Sequence, residues 1–223
     1  PTRVFPEAVG LKKIDKETLL GYGAMVFNAL GPDNEFRKDA MAKGLSVLEK
    51  INKQCLEENI DADGLAKEIY RSTAENSEED QLAGMLVRSL LSAGIDTTVS
   101  AIGNLLWCLA ENPEQFQLVK NDKSLVGNAV EESLRLTSPV KAFCRTSATD
   151  TEVSGVTIEE GTKILCVLGS ANTDPEVWEN SYKYDVTRRT IGHLALGVGV
   201  HNCVGQTLAR AEITALVSSL TEL

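Results

Sequence analysis

Leu196-Gly197-Val198-Gly199-Val200-His201-Asn202-Cys203-Val204-Gly205 is the stretch on which the reading of this chain turns. Glycines at 197, 199 and 205 let backbone N–H groups close on the Cys203 sulfur with no side chain in the way. A helix is predicted from Gln206 onward, and its positive end favours a thiolate just before it. Cys203 is therefore a candidate metal-binding sulfur, a role that needs donors and low exposure around it. A dinucleotide fingerprint would need glycine where Asn202 stands. A zinc site would need a second ligand pair, and Cys55, Cys108, Cys144, Cys166 and Cys203 form no Cys-x-x-Cys pair. A plain glycine loop over a core cysteine stays open as a reading of this loop taken alone.

Upstream lies the longest apolar segment, predicted as a helix that starts at Ser77-Glu78-Glu79-Asp80 and ends at Asn112-Pro113. It contains Ala93-Gly94-Ile95-Asp96-Thr97-Thr98. Ser89, Ala93 and Thr97 are four apart and share one face, where small residues admit a flat cofactor. A glycine inside a helix costs about 1 kcal/mol against alanine. Its presence is consistent with a helix opened for water or a ligand, and also with close helix packing.

Around these two segments the chain reads as mainly α, with small β segments near the end. Helices are predicted over 19–30, 34–58 and 125–136, the last stopped by Ser138-Pro139. Residues 151–158 alternate, Glu160-Gly161 is a turn, and 163–168 reads as a buried strand. An irregular stretch over 171–190 is longer than compact domains usually carry, which suggests a function. A closing helix covers 208–220. The cysteines other than Cys203 read as small core residues.

The 223 residues carry a net charge of -10 and are 43% hydrophobic. Such a surface repels phosphates, and no basic stripe offsets it, so a nucleic-acid partner is not expected. No run of about 18 apolar residues points to a membrane. Odd, widely spaced cysteines fit a reducing compartment, so a cytoplasmic location is expected. The chain starts at Pro1 rather than methionine, so the true N-terminus is expected to be missing, and the family resemblance carried by the Cys203 loop implies a single incomplete domain over 1–223.

The Cys203 loop, continuing into Leu208-Ala209-Arg210, resembles the cytochrome P450 signature Phe-x-x-Gly-x-His/Arg-x-Cys-x-Gly. Thiolate ligation of haem belongs to what is known of that family and is not a deduction from spacing. The 93–97 segment resembles the family's Ala/Gly-Gly-x-Asp/Glu-Thr motif, and Glu132 with Arg135 its Glu-x-x-Arg motif. The resemblance implies a partial P450 fold with a long central helix, a cysteine-ligand loop and a following helix. The N-terminal part and a C-terminal sheet would be missing. It implies haem b held by Cys203, with Ala93, Gly197 and Gly205 beside the cofactor. Arg145, His201 and, more weakly, His193 would contact its propionates. Asp96 would relay protons and Thr97 would hydrogen-bond dioxygen. Glu132, Arg135 and Arg188 would lock the irregular stretch. Leu196 stands where the family usually has phenylalanine.

The implied function is a monooxygenase that inserts one atom of dioxygen into a small organic substrate. A separate iron–sulfur ferredoxin and its reductase would donate electrons. The alternative is a truncated haem-binding piece without turnover. Within the family, Val26-Phe27-Asn28-Ala29, the 86–94 segment and Leu168-Gly169-Ser170-Ala171-Asn172 are most similar to bacterial enzymes that hydroxylate or O-demethylate para-substituted aromatic acids. Arg88 and Ser89 would clamp the carboxylate. Phe27, Leu30, Val140 and Phe143 would line an apolar slot, with Leu30 in place of a second ring. The other reading of Arg88 is a surface residue paired with Asp80 or Glu79.

Overall fold

The structure, a computed structural model, describes residues 1–11, 14–73 and 80–223, without the side chains of Asp80 and Gln81. The predicted helix start at Ser77-Glu78-Glu79 lies outside the described residues, as does the Asp80 or Glu79 partner considered for Arg88. The chain divides into two compact units, Pro1–Val99 and Ser100–Leu223.

The first unit is helical. A short α1 (Val4–Val9) stops at Gly10, whose φ of 96° only glycine adopts freely and whose N–H returns to Pro6 and Glu7 carbonyls. Asp15 caps α2 (Lys16–Leu30) by accepting the Thr18 N–H, and Asn34 caps α3 (Glu35–Gln54) by accepting that of Arg37. The short connection between them lets α2 and α3 pack along each other. Then come α4 (Leu65–Thr73) and the long α5 (Asp80–Glu111), which counts with this unit as far as Val99. On α5, Ala83, Val87, Leu91 and Ile95 form a buried stripe at four-residue spacing. The Phe5 ring occupies the space a Cβ on Gly94 would take, at 2.2 Å from its Cζ. Close packing therefore explains this glycine, and α5 runs unbroken past it.

The second unit holds the rest of α5, then α6 (Pro113–Asn121), which starts on a proline whose missing N–H costs nothing there. It continues with α7 (Val126–Thr137), strands β1 (Phe143–Thr146), β2 (Thr151–Val153), β3 (Val156–Ile158) and β4 (Lys163–Cys166), a single turn α8 (Leu168–Ala171), and α9 (Gln206–Leu220). Its core joins Leu105 and Cys108 of α5, Val130 and Leu134 of α7, and Ile213 and Val217 of α9. Between α8 and α9 the chain is irregular but packed, burying Trp178, Tyr184 and Val186. The Leu82–Glu111 helix has the length and hydropathy of a bilayer span by composition alone, with its most apolar window at mean hydropathy 1.2. Of that window 28% is buried, and the helix thus corrects the expectation that no segment is long and apolar enough for a span.

Two further expectations are corrected. The predicted buried strand over 163–168 is β4, and its residues are exposed or half-buried in turn. Among the described residues it pairs, antiparallel, with β1 alone, Phe143 opposite Cys166 and Cys144 opposite Leu165. For the same reason only Cys55 and Cys108 behave as core residues. Cys144 is exposed and Cys166 half-buried, because both lie on this open ladder. Burial pushes the Cys55 and Cys108 thiols up to about 11.

Candidate functional site: the cysteine loop and its supports

Cys203 sits on a backbone turn closed by its own N–H, which donates to the Leu196 carbonyl at 2.8 Å. The turn needs glycine. Gly197 has φ +72°, and a Cβ there would also come within 3.2 Å of the His201 carbonyl, while Gly199 has φ +67°. A single turn over Gly199–His201 follows, and α9 starts at Gln206. A Cβ on Gly205 would lie 4.0 Å from the Cys203 Sγ. The Leu196 side chain packs against the unit's core. Cys203 is half-buried and Val198, Val200 and Val204 around it are exposed, Val200 at 97%.

Behind the loop lies a buried charge network. Glu132 and Arg135 are both 0% exposed. Arg135 donates from Nε and Nη2 to the two Glu132 oxygens at 2.7 and 2.8 Å, a bidentate pair. Its Nη1 donates to the carbonyls of Asn172 at 2.6 Å and Ser181 at 2.8 Å. Arg188 donates from Nε to Glu132 at 2.9 Å and from its Nη atoms to the carbonyls of Glu179, Asn180 and Lys183. Every charge is paired, which is what burial requires. Glu132 and Arg135 thus meet as their i,i+3 spacing predicts, Arg188 joins them as the family resemblance implies, and the two arginines bond the carbonyls of the irregular stretch.

Sequence reasoning missed two further clips. Fully buried Asn172 donates to the Ser138 hydroxyl at 2.8 Å and accepts the Leu194 N–H at 2.6 Å. Glu131, next to Glu132 on α7, accepts from His193 Nε2 at 2.8 Å and from Arg210 at 2.6 and 3.0 Å. Burial raises the Glu131 carboxyl, but the hydrogen bonds from His193 and Arg210 outweigh it and bring it down to about 2. Adjacent acids on a helix point about 100° apart, so the pattern hides that Glu131 and Glu132 serve different clips. His193, expected at a propionate, instead spends both ring nitrogens here, with Nδ1 accepting the Ala195 N–H at 3.2 Å.

In the first unit, Asp96 and Thr97 are half-buried on α5. The Asp96 carboxyl lies against the bare Cα of Gly23, and burial holds its pKa above the ordinary value. The Thr97 hydroxyl donates to the Ala93 carbonyl at 2.6 Å, the usual resting bond of a helical threonine. Ala93 and Ser89 are exposed on the same stripe, and Ser89 bonds the Met85 carbonyl at 2.8 Å. Arg88 is half-buried and donates to Asn52 Oδ1 at 2.8 Å, and among the described residues no carboxylate pairs with it. Phe27 is half-buried and Leu30 exposed on α2. In the second unit Val140 is half-buried, and Phe143, Arg145 and His201 are exposed. Arg145 stacks over the Phe143 ring, 5.7 Å from its centroid.

The model of the family "Cytochrome P450" matches residues 22–222. The chain belongs to the cytochrome P450 family. It is 44% identical over 220 residues to "Cytochrome p450 CYP199A2" of Rhodopseudomonas palustris, covering 99% of this chain and 53% of that protein. It is 30% identical over 228 residues to the biotin biosynthesis cytochrome P450 of Bacillus subtilis, covering 98% and 56%. The solved structure of cytochrome P450 CREJ in complex with (4-ethylphenyl) dihydrogen phosphate matches with a TM-score of 0.85 at 28% identity, covering all of this chain and 56% of the other. The chain spans about half the length of the curated relatives it matches.

The family binds haem b through a cysteine thiolate, and the residues present fit that group. Among the described residues no cluster of three or more His, Cys, Asp or Glu side chains is placed to hold a metal by itself. Haem iron brings four ring nitrogens of its own and needs a single protein sulfur. Cys203 offers one, half-open, on a loop whose neighbouring Val198, Val200 and Val204 are exposed.

Proposed function

We propose that the whole protein is a haem-thiolate monooxygenase in which Cys203 is the iron ligand. The half-open thiol on a glycine turn, backed by buried charge clips, carries this reading. When bound, the haem supplies the reduction of dioxygen, and the overall change is substrate, dioxygen, two electrons and two protons to hydroxylated product and water. A separate iron–sulfur ferredoxin and its reductase deliver the electrons. Gly197 and Gly205 keep the approach to the sulfur clear, and Arg145 and His201 would meet the haem carboxylates, Arg145 as a cation. The chain's own part in turnover is proton handling. Burial keeps the Asp96 proton on its carboxyl to higher pH than on an exposed aspartate, and a carboxyl that can carry a proton suits a relay. The Thr97 hydroxyl, once released from the Ala93 carbonyl, would be free to donate a hydrogen bond to dioxygen. Intact Asp96 and Thr97 favour turnover over a haem-binding piece without activity. The test is the spectrum of the reduced, haem-loaded protein under carbon monoxide. The wild type is expected at the thiolate-haem position, and a Cys203→Ala protein that keeps that spectrum would overturn the assignment.

For the substrate we infer a para-substituted aromatic carboxylic acid, turned over by hydroxylation or O-demethylation. Arg88 is a half-buried cation that donates to Asn52, and such a cation gains by meeting an anion. Ser89 lies beside it in sequence. The family resemblance offers Phe27, Leu30, Val140 and Phe143 as the apolar residues of the substrate site. The similar CREJ structure holds a para-substituted phenyl group that bears an anion.

A further inference from the structure

Arg88 is held by a residue that the proposed reaction does not use. Its Nη1 donates to Asn52 Oδ1 at 2.8 Å, across 36 positions of sequence. Asn52 lies on the last turn of α3 (Glu35–Gln54), and both residues belong to the first unit. Fixing a long arginine side chain costs rotamer freedom. A partner that holds it beforehand lowers the entropic cost of the next contact it makes. Two features let Asn52 hold the cation without competing for it. Its carboxamide is neutral, so the charge of Arg88 stays uncompensated by this partner, whereas an aspartate in its place would form an ion pair. The bond engages Nη1, and the guanidinium is a planar fork whose Nε–Nη2 edge matches a carboxylate bidentately. The last turn of α3 is also the negative end of that helix, which favours a cation beside it without a net charge. The backbone is fixed as well: buried Tyr22 of α2 donates its hydroxyl to the Arg88 carbonyl at 3.4 Å. Arg88 is thus tied to α3 by its side chain and to α2 by its carbonyl.

We propose that Asn52 is a positioning residue for recognition of the substrate carboxylate. It aims the Arg88 guanidinium and leaves the charge and the Nε–Nη2 edge to the anion of the ligand. Specificity is a difference of affinities, and a neutral acceptor at 52 preserves the difference between an acid and its uncharged ester. The inference rests on the reading of Arg88 as the carboxylate clamp.

The experiment uses the whole, haem-loaded protein at neutral pH. It reads the dissociation constants of 4-methoxybenzoate and of its methyl ester from the change each causes in the haem spectrum, and compares the preference for acid over ester. Asn52→Ala is expected to lower that preference by about three- to tenfold, the size of one net hydrogen bond. Asn52→Asp keeps an acceptor and pins Arg88 at least as firmly, but it neutralises the cation and sets a second carboxylate beside that of the ligand. It is expected to lower the preference further than Asn52→Ala does. A bond that only joined α3 to α5 would survive in Asn52→Asp, with the wild-type preference and melting temperature, and that result overturns the proposal. In the Arg88→Leu background, Asn52→Ala is expected to leave the acid affinity where Arg88→Leu put it. A further loss there would mean that Asn52 does not act through Arg88, and also overturns the proposal. If Arg88→Leu abolishes the preference while both Asn52 variants keep it, the role of Asn52 alone fails. If Arg88→Leu leaves the preference intact, the clamp reading fails and the role of Asn52 falls with it.

Discussion

Gly23 of α2 leaves the space that the Asp96 carboxylate fills: a Cβ on Gly23 would lie 2.6 Å from Oδ2, 2.7 Å from Cγ and 2.8 Å from Oδ1. No real side chain tolerates such contacts, so any larger residue at 23 must displace Asp96. Glycine inside a helix costs about 1 kcal/mol, and here the close approach of two helices accounts for it. The expected outcome for Gly23→Ala is a folded protein whose Asp96 is turned aside. If Asp96 delivers protons, product formation falls by roughly tenfold, a fraction of what a positioned acid contributes. Asp96→Ala alone should cost more, and adding Gly23→Ala to it should change nothing further. Steady-state turnover of the four proteins measures this, and additive losses would show that Gly23 acts elsewhere.

Thr97→Ala removes the only hydroxyl of the Asp96–Thr97 pair and the bond to the Ala93 carbonyl. Substrate binding should persist, while reducing equivalents are diverted to peroxide. The ratio of product to cofactor consumed is the measurement. An unchanged ratio would remove Thr97 from the reaction and leave the fold reading intact.

Glu132→Ala strips the shared partner from Arg135 and Arg188, two cations held at 0% and 11% side-chain exposure. Leaving such charges uncompensated costs about 3–5 kcal/mol. Denaturant unfolding should show that loss, and haem retention should fall with it because the 172–188 stretch loses its anchor. A loss below about 1 kcal/mol would mean that the network is dispensable.

The acid side of the stability curve should report Glu131. Its folded carboxyl lies at about 2, below the ordinary glutamate range. A lowered acid binds its proton less readily when folded, so its stabilisation is fully present above the unfolded value. It is lost as the pH falls from the ordinary glutamate range towards 2. Its size is about 3 kcal/mol at most. Wild type and Glu131→Gln compared by urea unfolding between pH 6 and about 3 should converge as the medium becomes more acidic. A constant gap across that range would count against an ionised Glu131.

Substrate choice is tested at Arg88. Titration with 4-methoxybenzoate and with its methyl ester should favour the acid in the wild type. Arg88→Leu should abolish that preference, about tenfold or more for a charge-assisted contact. Equal affinity for acid and ester, or an unaltered preference in the variant, would leave the Arg88 guanidinium as a partner of Asn52 and nothing more.

The parts of this protein legible in the sequence are those governed by short spacing. The glycine turn before Cys203, the helix after it and the i,i+3 pairing of Glu132 with Arg135 all follow from local geometry. The burial of β4 was misread because four apolar-rich residues look alike in a covered and in an open ladder. Long-range partners were out of reach for a different reason. Glu131 with His193 and Arg210, Asn172 with Ser138 and Leu194, and Gly23 with Asp96 each join residues dozens of positions apart. No periodicity links such residues. Only the packed chain decides which carboxylate a given cation meets, because each buried charge or amide must find its partner among the groups that folding brings within about 3 Å.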